Sequence, residues 1–239
     1  RPHDLRILGA GALGVLVPRI HLDASFSHIS ALPGKVAFVS QSGALSTAVL
    51  DWARPRGIGF SHFVSLGDAH DIDFADVMDY LANDDQTRAI LLYIESIGAR
   101  RNFIPAARAA ARNKPVLLVR ATPAMEDHPV GSFLEESLAR PEDAFDAAIR
   151  RAGALRVHDI DELFGAVETL ARAKPMKGER LAIVSNGGGI AMMATAEMGG
   201  TGGGQAAGLS EETERKLAAL MPRGWKGGNP VDLGVDAPG

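Results

Sequence analysis

Short apolar runs alternate with stretches of helical periodicity along most of the chain. Residues 35–40, 59–65, 88–94 and 115–120 read as strands, and 155–157 as a shorter one. The run Ile90-Leu91-Leu92-Tyr93-Ile94 is almost wholly apolar, as in a parallel sheet covered on both faces. Between these runs, 44–53, 73–83, 102–113, 142–152 and 160–173 carry apolar residues at helical spacing, and Asp159 stands as the cap of the last. This β-α-β-α order predicts a parallel sheet with helices on both sides. The pattern restarts after residue 178: strand 180–185, the loop Asn186-Gly187-Gly188-Gly189, helix 190–198, then helix 211–221. The glycine-rich stretch 199–204 is assigned no structure. The expected fold class is therefore α/β, with two doubly wound parallel-sheet modules, the second truncated. The two restarts share one plan, a weak internal duplication.

Composition narrows the function classes. The chain has 239 residues, 46% hydrophobic and 23% charged, with a net charge of −4. No basic field is present to attract nucleic acid or an anionic membrane. Cysteine is absent, which excludes disulfides and thiolate metal sites and fits a cytoplasmic location. No apolar run reaches the ~18–20 residues that span a bilayer. Both ends read as cuts through a longer protein.

Four motifs carry chemistry. Gly9-Ala10-Gly11-Ala12-Leu13-Gly14 matches the spacing of a dinucleotide fingerprint, but β-branched residues and Pro18 follow where a helix must begin. Ser40-Gln41-Ser42-Gly43-Ala44 joins a strand to a helix, and the free N–H groups of such a helix start attract anions. It is not a nucleophile elbow, because Ser40 stands where the first glycine is required. Ser185-Asn186-Gly187-Gly188-Gly189 repeats the arrangement with room for close backbone approach. Glu95 follows an apolar strand, at the sheet edge where doubly wound folds bind ligands. The plain alternatives are a helix cap, a flexible connection and a solvated acid. Of the histidines, His62 and His70 lie in a strand and the loop after it, His158 precedes a helix, and His3, His21 and His28 lie in an irregular N-terminal segment. No pair has the spacing of a helical metal site, and no metal site is assigned.

In order, Ser40-Gln41-Ser42-Gly43-Ala44-Leu45, Val64-Ser65-Leu66-Gly67-Asp68, the strand ending in Glu95, Asn186-Gly187-Gly188-Gly189-Ile190 and Gly228-Asn229-Pro230-Val231-Asp232 resemble NDP-forming acyl-CoA synthetases, which are related to succinyl-CoA synthetase. The resemblance implies flavodoxin-like modules at 33–174 and, in part, at 178–239, with 1–32 as the remnant of a CoA-binding domain. It implies ligation of CoA to a carboxylic acid through a phosphohistidine held by two helix starts. By the same resemblance, phosphate falls to Ser42, Gly43, Asn186, Gly187, Gly188 and Gly189, substrate to Thr47 and Asn186, and orientation of the histidine to Glu95.

The chain also departs from that family. Counting back without gaps from the helix containing Asp146-Ala147-Ala148 puts Leu134 at the phosphohistidine position, and leucine has no lone pair to accept a phosphoryl group. His128 could replace it only across a longer loop. The resemblance then points to the subgroup fused to a GNAT acetyltransferase domain, in which this region binds acyl-CoA or phosphate and is regulatory. The rivals are a fragment of an active acid–thiol ligase and a stand-alone interaction module. CoA, ATP and Mg are implied only together with CoA-binding, ATP-grasp or GNAT domains outside the chain. A homo-oligomer is the other implied partner.

Overall fold

The structure is a computed structural model that describes residues 5–97, 100–121, 141–172, 178–199, 204–221 and 225–234. The chain divides into two compact units, Arg1–Ala173 and Lys174–Gly239.

In the first unit, β3 (Leu32–Ser40), β4 (Gly59–Ser65), β5 (Ala89–Ile94), β6 (Val116–Arg120) and β7 (Leu155–Val157) form the parallel sheet. They are joined by α1 (Gly43–Ala53), α2 (Phe74–Asn83), α3 (Arg100–Ala111) and α4 (Pro141–Ala152), and α5 (Ile160–Arg172) follows β7. Aspartates cap the starts of α2 and α5. Asp73 and Asp76 form a reciprocal capping box on α2. Asp159 accepts the Glu162 N–H on α5 at 2.8 Å.

The segment 14–25, read from sequence as irregular, is a hairpin of β1 (Gly14–Val17) and β2 (Leu22–Ser25). β1 pairs antiparallel with β4, giving the order β2-β1-β4-β3-β5-β6-β7. Gly14 thus opens a strand, and the glycine fingerprint before it leads into no helix.

Side chains alternate across the sheet and build a core on each face. Ala37, Val39, Ile90, Leu92 and Leu118 pack against α2, α3 and α4. Val36, Phe38, Leu91, Leu117 and Val119 pack against α1 and α5. The strands are buried on both sides, which explains their unbroken apolar runs.

A polar cluster closes the edge of the sheet where β4 and β5 begin. Ser61, His62 and Thr87 are buried there. Thr87 donates to Asp84 Oδ2 at 2.6 Å and lies 2.7 Å from the Ser61 hydroxyl. His62 Nδ1 lies 3.4 Å from Thr87 Oγ1 and 3.5 Å from Asp84 Oδ2. The Tyr80 ring stands edge-on to His62, and Lys114 donates to the carbonyls of Leu81 and Asp84. Burial lowers the His62 pKa and outweighs the opposing pull of Asp84, while Arg19 and Lys114 lower it further. The unfolded chain therefore takes up this proton more readily than the folded one. The stabilisation is complete above the ordinary histidine pKa of ~6.5 and is lost as pH falls below it. Desolvation of the Asp84 carboxylate is overcome by Thr87 and its other partners, so its pKa is lowered and its contribution is lost only in more acid solution. Thermal unfolding of the first unit should show a falling Tm between pH 6.5 and 5, and His62→Gln should flatten that slope. An unchanged slope in the variant would assign the acid sensitivity to other groups.

In the second unit, the expected single strand 180–185 is two short ones, β8 (Arg180–Leu181) and β9 (Val184–Ser185). β8 pairs in parallel with β10 (Gln205–Ala206), and β9 with β11 (Val231–Asp232). Between them Asn229 Oδ1 accepts the Ile183 N–H at 2.9 Å, so a side chain serves the backbone where the ladder changes sides. α6 (Gly188–Gly199) starts two residues earlier than the apolar pattern indicates, and α7 (Glu211–Ala218) ends three earlier. Among the described residues, no helix is long and apolar enough to cross a membrane.

Candidate functional site

The order β4-β3-β5-β6-β7 is that of a doubly wound sheet in which the chain leaves β3 in one direction and returns on its other side. Such a reversal leaves a crevice beyond the carboxyl ends of the two strands concerned, here β3 and β5. Ser40 ends β3 and Ile94 ends β5, so the residues at the crevice are Gln41, Ser42 and Gly43 on one side and Glu95 and Ser96 on the other.

The turn into α1 is built by serines. The Ser40 hydroxyl accepts the Ser42 N–H and donates to the Ser42 carbonyl, both at 3.0 Å. Ser42 caps the helix by accepting the Leu45 N–H at 3.2 Å, and Ser46 donates to the Ser42 carbonyl. The N–H groups of a first helical turn have no acceptor within the helix. A Cβ at Gly43 would meet nothing nearer than the Leu13 side chain at 4.0 Å, so this helix start is open to an approaching group. Thr47 spends its hydroxyl on the Gly43 carbonyl at 3.1 Å, which anchors it to its own helix.

Glu95 is exposed at the end of β5. Burial raises the pKa of the neighbouring Tyr93 phenol, and the Glu95 charge adds to the effect, so Tyr93 stays protonated at neutral pH. The sequence reading missed Gln41. Its side-chain oxygen accepts the N–H groups of Glu95 and Ser96 at 2.7 and 2.9 Å, and its nitrogen donates to the Ser96 hydroxyl at 3.3 Å. A glutamine between two serines carries no periodic signal of a contact 54 residues away.

The N-terminal segment is laced over the same end of the sheet. Asp68 N–H donates to the Ala10 carbonyl at 2.8 Å, and Leu13 N–H donates to the Ser65 hydroxyl at 2.9 Å. Arg6 pairs with Asp71 and Asp76 at 3.1 and 2.7 Å. Beside this segment, α2 and α3 border a groove of about 940 Å³ with Phe74, Phe103 and Ala106 among its apolar walls. Asp68, Asp73 and Asp79 also line it, so its charge opposes phosphate-bearing ligands.

The second unit repeats the turn. The Ser185 hydroxyl accepts the Gly187 N–H and donates to the Gly187 carbonyl, both at 3.0 Å, and Ala191 N–H donates to the Gly187 carbonyl. Gly188 and Gly189 thus lie inside the first turn of α6, and Asn186 is exposed. The Asp232 carboxylate lies 3.2 Å from the position of a Gly188 Cβ, so this helix start already faces a negative side chain. Sequence spacing gave no sign of it. His128 and Leu134 lie outside the described residues. Among the described residues no group of three or more His, Cys, Asp or Glu side chains could hold a metal ion.

Residues 33–170 match the model of the succinyl-CoA ligase like flavodoxin domain. The chain is 36% identical to acetate–CoA ligase [ADP-forming] I of Archaeoglobus fulgidus, over 98% of this chain and 34% of the relative. It is 35% identical to the alpha subunit of acetate–CoA ligase [ADP-forming] II of Pyrococcus furiosus, over 99% of this chain and 51% of the relative. Among solved structures it resembles the dinucleotide forming acetyl-coenzyme A synthetase 1 of Ca. Korarchaeum cryptofilum in complex with phosphate and ADP. The TM-score is 0.84 at 29% identity, covering 98% of this chain and 51% of that one. The chain thus spans about a third to a half of the length of these relatives.

Proposed function

The chain belongs to the NDP-forming acyl-CoA synthetase family, with a succinyl-CoA ligase like flavodoxin domain, and from this premise we propose that the polypeptide it forms part of is an acid–thiol ligase. The reaction joins a carboxylic acid to CoA with cleavage of a nucleoside triphosphate, yielding acyl-CoA, the diphosphate and phosphate. The observation that supports this reading is the crevice beyond β3 and β5, where the open start of α1 and the Glu95 carboxylate are both at hand.

Ser42 and Gly43 would hold a phosphoryl group through backbone N–H groups and the helix dipole. Asn186, Gly187, Gly188 and Gly189 would do so in the second unit, with the Asp232 charge limiting that site to a phosphoryl group whose own charge is partly neutralised. Glu95 would orient an imidazole by accepting its N–H. Thr47 and Asn186 would border the substrate, Asn186 with the freer side chain. The acidic groove between α2 and α3 does not suit a CoA pyrophosphate. As the family resemblance implies, CoA, ATP and Mg would be held by domains or a partner subunit outside this chain.

Full-length protein incubated with ATP, Mg, CoA and a panel of short carboxylic acids should release ADP and acyl-CoA in equal amounts. It should also carry acid-labile phosphate on His128, recoverable under alkaline handling. Leu134 at the gap-free histidine position favours a second reading, a regulatory acyl-CoA-binding region of a GNAT-fused acetyltransferase. That reading expects no turnover and no phosphohistidine, but a rise in Tm of the full-length protein with acetyl-CoA.

A further inference from the structure

Gln41 is 8% exposed, so its carboxamide must satisfy its hydrogen bonds inside the protein. It does so on two consecutive residues of another loop, through the N–H groups of Glu95 and Ser96 and the Ser96 hydroxyl. The Gln41 N–H also donates to the Tyr93 carbonyl at 3.3 Å. On the other side, Ser40 grips Ser42 through both its N–H and its carbonyl. The start of α1 and the Glu95 loop are therefore tied by side chains on both sides of one residue. The corresponding position in the second unit is Asn186, which follows Ser185 in the same serine-built turn but is exposed. The repeated turn thus needs no buried amide to form, and the reach of Gln41 across the crevice serves something other than the turn itself.

We infer that Gln41 is a positioning residue: it holds the Glu95 backbone in register with the open first turn of α1, so that the carboxylate and the phosphoryl-binding N–H groups keep one relative geometry. Its functional half rests on the ligase reading above. The carboxamide is engaged by the Glu95–Ser96 loop, and it acts through that loop.

Gln41→Met keeps the length and burial of the side chain but removes its acceptor and donor. Gln41→Glu keeps an acceptor for both N–H groups. Amide hydrogen exchange on the full-length protein should show Glu95 and Ser96 protected in the wild type. Protection should fall by about ten- to a hundredfold in Gln41→Met, as for loss of two buried hydrogen bonds, and return in Gln41→Glu. In the ligase assay, Gln41→Met should lower kcat by a similar factor with little change in KM for acid or CoA, and Gln41→Glu should recover most of it. Unaltered exchange in Gln41→Met overturns the clamp, whatever the activity. Lost protection with an unchanged kcat overturns the positioning role. A wild-type protein without turnover removes the ligase reading and with it the role in catalysis, while the exchange result still decides whether Gln41 holds the loop.

Discussion

Phe38→Ala should destabilise the first unit by about 3–5 kcal/mol, the range for a large aromatic removed from a packed core. Phe38 is fully buried on the central strand β3. Its ring stacks on Phe63 at 5.0 Å between centroids and meets Phe60 at 6.4 Å, while Phe60 and Phe63 meet edge-on at 5.1 Å. The three rings fill the face of the sheet under α1 and α5, with Val49, Leu50 and Leu163 in the same cluster. A cavity there has strands on one side and helices on the other, so little of it can collapse. Urea unfolding monitored in the first unit should show the loss as a lower midpoint with an unchanged slope. A cost under 1 kcal/mol would mean that the face is loosely packed.

Gly67→Ala should detach the N-terminal segment from the end of the sheet. Gly67 has a φ of +59°, and an alanine Cβ built there lies 2.0 Å from the Ala10 carbonyl oxygen and 2.7 Å from the Ala12 nitrogen. The left-handed backbone alone costs a non-glycine residue about 1–3 kcal/mol. The overlap adds to that, because both obstructing atoms are backbone and cannot swing aside. Gly57 separates the two contributions: its φ is +66°, but a Cβ there meets nothing within 4 Å. Gly57→Ala should show the backbone cost only. In Gly67→Ala the hydrogen bond from Asp68 N–H to the Ala10 carbonyl should break, and that amide should exchange freely. Equal losses in the two variants would show that segment 10–12 yields without consequence.

The same end of the sheet shows why some of the site was readable from sequence. Ser42 and Glu95 follow apolar runs that can only be buried strands, so their placement at strand ends is a local property. The internal repeat was legible for the same reason: a strand, a serine and a polar turn recur at 35–42 and 180–187, and the two turns close with the same pair of hydrogen bonds.

Local order decides which residues enter strands and helices, because burial on two faces demands continuous apolar residues and a helix start demands a cap. β4 at Gly59–Ser65, β7 at Leu155–Val157 and the Asp159 cap of α5 all coincide with the sequence reading on that account. Contacts between distant segments follow no period. The pairing of β1 with β4, the approach of Ala10 to Gly67, the Asp232 carboxylate beside Gly188 and the reach of Gln41 to Glu95 each depend on where the folded chain brings a second segment. Short-range patterning thus fixes the elements and the end of the sheet where chemistry gathers, and only the tertiary structure determines which backbone groups there are closed by the protein and which remain open.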